Sequence, residues 1–216
     1  MTKNPDLGPA GQSQLGEQLH LEMNNAKLRL EGIPPAITIF GGARVKATDP
    51  YYAATVELAQ ALSRRGIAVL SGGGPGIMEA ANKGARAGQH GLSIGLNITL
   101  EHEQKPNPFQ DIGLTFEHFS SRKAAFCKYS RAFVVMPGGV GTMDELFEIV
   151  TLIQTKKSAA APVLLYGREF WQGLVSWMQG AMVARGMLSD VEMALFTLVD
   201  SVDEAMGLLT EQSVAA

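Results

Sequence analysis

From residue 36 onward, short apolar and β-branched runs alternate with segments of helical spacing. The runs cover 36–40, 67–70, 92–98, 114–118, 132–136, 162–166 and 196–199, and the helical segments cover 51–65, 76–88, 121–130, 143–156, 169–185 and 201–210. Such alternation predicts βαβ units, hence a mostly parallel, doubly wound α/β sheet with helices on both faces. Near-continuous apolar runs such as Ala132-Phe133-Val134-Val135-Met136 suit strands buried on both sides. Upstream, Leu15, Leu19, Met23, Ala26 and Leu30 recur every three or four residues and predict a helix over 12–31. Gly32 and Pro34-Pro35 stop it. Residues 1–11 are polar with two prolines and two glycines and read as a disordered tail. The expected organisation is therefore a tail (1–11), a helix (12–31), one Rossmann-like domain (36–210) and a flexible C-terminus (211–216). The polar stretch 99–111 reads as a long surface loop.

Composition narrows the class. A chain of 216 residues that is 46% apolar, with net charge -3, is neither disordered nor in need of a disulfide or metal staple. The slightly acidic balance argues against nucleic acid as a partner. No apolar run approaches the roughly 20 residues of a membrane span. With Cys127 the only cysteine and no apolar leader segment, the expected home is the cytoplasm. Glycine, at 24 residues, is the outlier. Average usage of about 7% would leave roughly nine fewer.

The excess falls in three turns, each after an apolar run: Gly41-Gly42-Ala43-Arg44, Gly72-Gly73-Gly74-Pro75-Gly76 and Pro137-Gly138-Gly139-Val140-Gly141-Thr142. Ligands of open α/β sheets bind at the carboxyl ends of strands. Glycine lets a backbone approach a ligand, and the amides of a following helix form an anion site. A phosphate-bearing ligand is expected there. Neither G-x-G-x-x-G nor Gly-Lys-Ser/Thr occurs, so a nicotinamide dehydrogenase and an NTPase are disfavoured and a mononucleotide-sized ligand fits best. Glu145 lies three residues after Thr142, a spacing that also reads as a capping box. Glu79 sits in the first turn of the helix after the second glycine turn. Arg122 and Lys123 form a basic pair at a helix start, where cations are disfavoured unless an anion stands opposite. His20, His90, His102 and His118 lack metal spacing, and His102 and His118 flank the long loop. Cys127 reads as a core thiol. Met78, Met136 and Met143 read as core or as the lining of a base slot.

At these residues the chain resembles a known family. Pro137 to Glu145 fits PGGxGTxxE in full, Gly72 to Asn82 fits GGGPGIMEAAN, and Arg122-Lys123 supplies the basic pair between them. The resemblance, over about residues 36–210, is to the Lonely-Guy family of cytokinin riboside 5′-monophosphate phosphoribohydrolases, often mislabelled lysine decarboxylases. The N-terminal helix and the 101–111 loop resemble its longer bacterial subgroup. The resemblance implies hydrolysis of the N-glycosidic bond of AMP or N6-modified AMP to free base and ribose 5-phosphate. It also implies no metal or organic cofactor, and a homodimer or higher homo-oligomer with sites near the dimer interface. It implies Glu145 and Arg122 as catalytic residues. Gly138, Gly139, Gly141 and Thr142 are expected to hold the 5′-phosphate, with Gly73, Gly74, Glu79 and Lys123 as further substrate contacts. Arginine is a poor acid, so the proton donor to the leaving base stays open between water and a carboxylic acid. Three rival readings stand beside this one: a molybdenum-cofactor carrier on the same fold, a nucleotide-sensing protein, and a lysine decarboxylase, whose pyridoxal phosphate needs a lysine site that Lys123, Lys128, Lys156 and Lys157 do not suggest.

Overall fold

The computed structural model describes residues 9–34, 36–100 and 105–211. Its seven strands are β1 (Ala36–Phe40), β2 (Ala68–Ser71), β3 (Ser93–Ile98), β4 (Ile112–Phe116), β5 (Ala132–Val135), β6 (Val163–Tyr166) and β7 (Thr197–Val199). They form one sheet in the order β4-β3-β2-β1-β5-β6-β7, and every adjacent pair is parallel. The helices are α1 (Pro9–Leu30), α2 (Pro50–Arg64), α3 (Ile77–Gly88), α4 (Phe119–Tyr129), α5 (Val140–Gln154), α6 (Arg168–Trp177) and α7 (Val202–Glu211).

Alternation along each strand divides the core in two. Ile37, Ile39, Val69 and Val134 face α2, α3 and α7 through Leu58, Leu62, Ile77, Ala81 and Met206. Phe40, Leu70, Phe133 and Val135 face α1, α4, α5 and α6 through Leu30, Phe126, Leu146, Ile149 and Trp171. Phe40 meets Phe126 edge-on with ring centroids 4.9 Å apart, which seats α4 over β1. β1 leads to α2 on one face and β5 leads to α5 on the other. The strand order therefore reverses between them, and a crevice opens at their carboxyl ends.

Three expectations are revised. The N-terminal helix begins at Pro9 rather than at residue 12. Proline suits a first helical position because its missing N–H would have no partner there. The expected tail therefore loses residues 9–11, while 1–8 lie outside the described residues, as do 212–216 of the expected C-terminal tail. The single helix expected over 169–185 ends at Trp177, widens into a π turn at Met178–Met182 and tightens into a 3-10 turn at Val183–Arg185. Gly180 weakens the helix there, and Gly186, at φ +70°, terminates it. The 99–111 stretch is not all surface loop. Asn107 is buried, and its side-chain amide donates to the carbonyls of Gly73 and Gly74 and to Asn82 Oδ1 at 3.0, 3.1 and 2.8 Å. Pro106 and Pro108 bring no N–H of their own that would need a partner.

Candidate active site

The three glycine turns lie together at the carboxyl edge. Gly42 N donates to Pro137 O at 3.0 Å, and Ile77 N donates to Gly42 O at 3.1 Å. Gly41, Gly42 and Gly76 are required by this mutual packing. A Cβ on Gly41 would meet Ile77, and one on Gly76 would meet the backbone of Gly42 and Ala43. One on Gly138 would meet Thr142, whereas Gly139 and Gly141 have nothing within 4 Å of theirs. Those two face open space at the start of α5. The hydroxyl of Thr142, a residue only 5% exposed, makes no hydrogen bond among the described residues.

The second turn is differently built. Gly73, at φ +73°, has the side chains of Asn97 and Gln110 where its Cβ would be. Its carbonyl accepts from Asn107 N at 2.8 Å and from Gln110 Nε2 at 2.9 Å. Gly73 and Gly74, expected to touch substrate, thus spend their carbonyls on the chain's own 107–110 segment. Nothing in the sequence of that segment signals this; only its approach to the turn does. Asn82, at the end of the GGGPGIMEAAN run, anchors the cluster: its amide donates to Ser93 Oγ at 3.0 Å, and its Oδ1 accepts from Ser71 Oγ at 2.6 Å.

Arg122 and Glu145 are brought together. Arg122 is buried, its Nε donates to Leu96 O at 2.7 Å, and its guanidinium lies over the Phe126 ring. Nη1 stands 3.8 Å from Glu145 Oε1. The Glu145 side chain is only 16% exposed. Burial pushes its carboxyl up to about 7, against the opposing pull of Arg122. Burial likewise holds Arg122 below the usual arginine range, with Glu145 acting in the opposite sense. The capping-box reading of Thr142 and Glu145 is not realised: α5 starts at Val140 with Gly139 as its cap and no side-chain capping bond. Glu145 turns instead toward Arg122.

The other expected contacts are occupied elsewhere. Lys123 Nζ donates to Asp144 Oδ1 at 3.2 Å and to Glu148 Oε2 at 2.5 Å, which ties α4 to α5 and raises its pKa. Glu79 Oε1 accepts from Tyr52 Oη at 2.7 Å in the α2–α3 layer, on the opposite side of the sheet from Arg122 and Glu145. Met136 is core. His118 contacts Glu22 of α1, and His102 lies outside the described residues. Burial pushes the Cys127 thiol up to about 11, as suits a core thiol. Among the described residues no cluster of three His, Cys, Asp or Glu could hold a metal ion, and no helix is long and apolar enough to cross a membrane.

The chain is similar to several known proteins. A probable cytokinin riboside 5′-monophosphate phosphoribohydrolase of Oryza sativa subsp. japonica is 28% identical over 177 residues, covering 81% of this chain and 76% of its own. A pyrimidine/purine nucleotide 5′-monophosphate nucleosidase of Escherichia coli (strain K12) is 27% identical over 155 residues, 67% of this chain but 34% of that longer protein. Among solved structures, the molybdenum cofactor binding protein of Rippkaea orientalis superposes with a TM-score of 0.61 at 20% identity, covering 86% of this chain and all of that one. At that identity the likeness is one of fold. The family model described as "possible lysine decarboxylase" matches residues 78–209, from the start of α3 to α7, and the chain belongs to that family.

Proposed function

We propose that this protein hydrolyses the N-glycosidic bond of a nucleoside 5′-monophosphate, AMP or an N6-modified AMP, to free base and ribose 5-phosphate. The carrying observation is the buried Glu145 carboxyl held 3.8 Å from Arg122, one helical turn below an open glycine turn. The names of the rice and Escherichia coli relatives support the same reaction class.

In this reading the 5′-phosphate sits on the amides after Gly138, Gly139 and Gly141, with the free Thr142 hydroxyl as a further donor. The C1′–N bond breaks with its electron pair passing to the base, and positive charge grows on the sugar ring. Ionised Glu145 steadies that charge in a site shielded from water. Water adds its oxygen to C1′, and one of its protons ends on the departing base. Arg122 fixes Glu145 and presents its guanidinium toward the base side. Lys123 holds α4 and α5 in register. Glu79, bonded to Tyr52, fixes the start of α3. The exposed Val140, beside Met143 and Phe147 on the outer face of α5, gives a homo-oligomer an apolar surface close to the site.

A decarboxylase acting through pyridoxal phosphate fits poorly. A Schiff-base lysine needs a desolvated amine of lowered pKa, whereas Lys123 is ion-paired and its pKa is raised. The test is incubation with AMP. Adenine and ribose 5-phosphate are expected in equal amounts, and Glu145→Gln should lower turnover by about a hundredfold or more while AMP still binds. Stable AMP binding without adenine release would favour a carrier or sensor instead. Undiminished release by the Glu145 variant would remove the carboxylate from the mechanism.

A further inference from the structure

The crevice between β1 and β5 holds a cavity of about 640 Å³ with the first glycine turn on one wall and Gly138 and Gly139 on the other. That volume lies within the common range of small-molecule sites, about 300–1,000 Å³. Arg44 and Lys46 stand on the first wall, both exposed, and neither has an ion-pair partner among the described residues. Asp49 is the one carboxylate lining the cavity, and its Oδ1 accepts from Tyr51 N at 2.8 Å as the cap of α2. Across the crevice are Pro137, Gly138 and the open Gly139 at the start of α5. Two unpaired cations thus face a turn whose own donors are unpaired. That is the charge pattern of a site for a doubly charged anion.

We propose that Arg44 and Lys46 are the residues that select phosphorylated substrates, clamping the 5′-phosphate of the nucleotide against the Gly138-Gly139 turn. This rests on the functional reading above and adds to it a recognition pair outside the family motifs. Arginine grips phosphate bidentately and lysine adds a point charge. The sugar then extends from the crevice toward Glu145. Phe170, half-exposed on the cavity rim, limits the crevice on the β6 side. A nucleoside without phosphate leaves both cations and the turn amides unanswered, so discrimination comes from this wall.

The test uses ribose 5-phosphate as a probe that needs no turnover. Its binding to the wild-type protein and to Arg44→Ala, Lys46→Ala and the double variant is measured by calorimetry, with Arg64→Ala as a charge control on the far end of α2. The double variant is expected to bind ribose 5-phosphate at least tenfold more weakly, with Arg44→Lys intermediate and Arg64→Ala unchanged. In AMP hydrolysis the loss should appear in KM far more than in kcat, and the preference for AMP over adenosine should shrink. Unchanged ribose 5-phosphate affinity in the double variant would overturn the proposal even if AMP is hydrolysed normally. Wild-type protein that binds ribose 5-phosphate through Arg44 and Lys46 but leaves AMP intact would sink only the hydrolase reading. Failure of wild-type protein to bind ribose 5-phosphate or AMP at millimolar concentration would overturn both.

Discussion

At the scale of single residues the decisive group is Glu145. A surface carboxylate titrates near 4, but burial moves this one to about 7. In the proposed reaction the ionised form is the one that steadies a sugar cation. The kcat/KM for AMP is therefore expected to rise with pH along a limb centred near 7, and that limb should be missing from the residual activity of Glu145→Gln. A pH–rate profile of both proteins checks this. Stability should run the other way. The folded pKa is above the unfolded one, so the contribution of Glu145 is complete below about 4.5 and is lost as pH rises through about 7. The proposed catalytic carboxylate is thus one the fold holds at some cost. The Thr-x-x-Glu spacing alone reads as a capping box, whereas the longer glycine motif implies catalysis. In the structure Glu145 makes no capping bond and stands beside Arg122.

Among elements, α4 and α1 form the unexpected pair. The basic pair Arg122-Lys123 in the first turn of α4 suggested an anion opposite. For the pair itself α5 supplies Glu145, Asp144 and Glu148, and α1 adds a carboxylate at the start of α4. Glu22 of α1 accepts from Glu117 N at 2.8 Å and contacts His118 Nδ1 at 3.2 Å, and Ser121 Oγ also donates to it. Burial alone would raise the Glu22 carboxyl, but these hydrogen bonds outweigh it and hold the group below its usual value. The N-terminal helix therefore supports the start of the helix that carries Arg122. Glu22→Ala is expected to reduce kcat for AMP by roughly tenfold, the scale of a misplaced positioning group. Glu22→Gln, which keeps an acceptor, should recover part of that loss. Steady-state kinetics beside circular dichroism separates this from unfolding.

For the whole molecule, the 107–110 segment closes the second glycine turn from a distance of more than thirty residues. Asn107→Ala would orphan the Gly74 carbonyl and remove one of several donors from the Gly73 carbonyl and Asn82 Oδ1. One such orphaned group costs about 1–3 kcal/mol. At about 2–4 °C per kcal/mol for a chain of this size, the melting temperature should fall by several degrees, which a thermal scan would read.

Much of the architecture was already legible in the chain. All seven strands were marked by apolar runs, most cleanly β1, β2, β5 and β6, because a parallel strand buried on both faces has no polar side to blur the pattern, whereas the edge strands β4 and β7 are partly exposed. The carboxyl-edge location followed from where the glycines stand relative to those strands. Arg122 and Glu145 were legible through their motifs. Other features depend on segments remote in sequence meeting at the edge of the sheet. They include the filling of the space beside Gly73 by Asn97 and Gln110, the diversion of Lys123 to Asp144 and Glu148, and the bonding of Glu79 to Tyr52. The crevice that sets Arg44 and Lys46 against Gly139 is another. Hydrophobic period and turn chemistry are local, so the sequence by itself determined the strands, the helices and the glycine edge. Which polar groups remain free for a ligand depends on the partners that folding brings to each, and only the tertiary structure decided that.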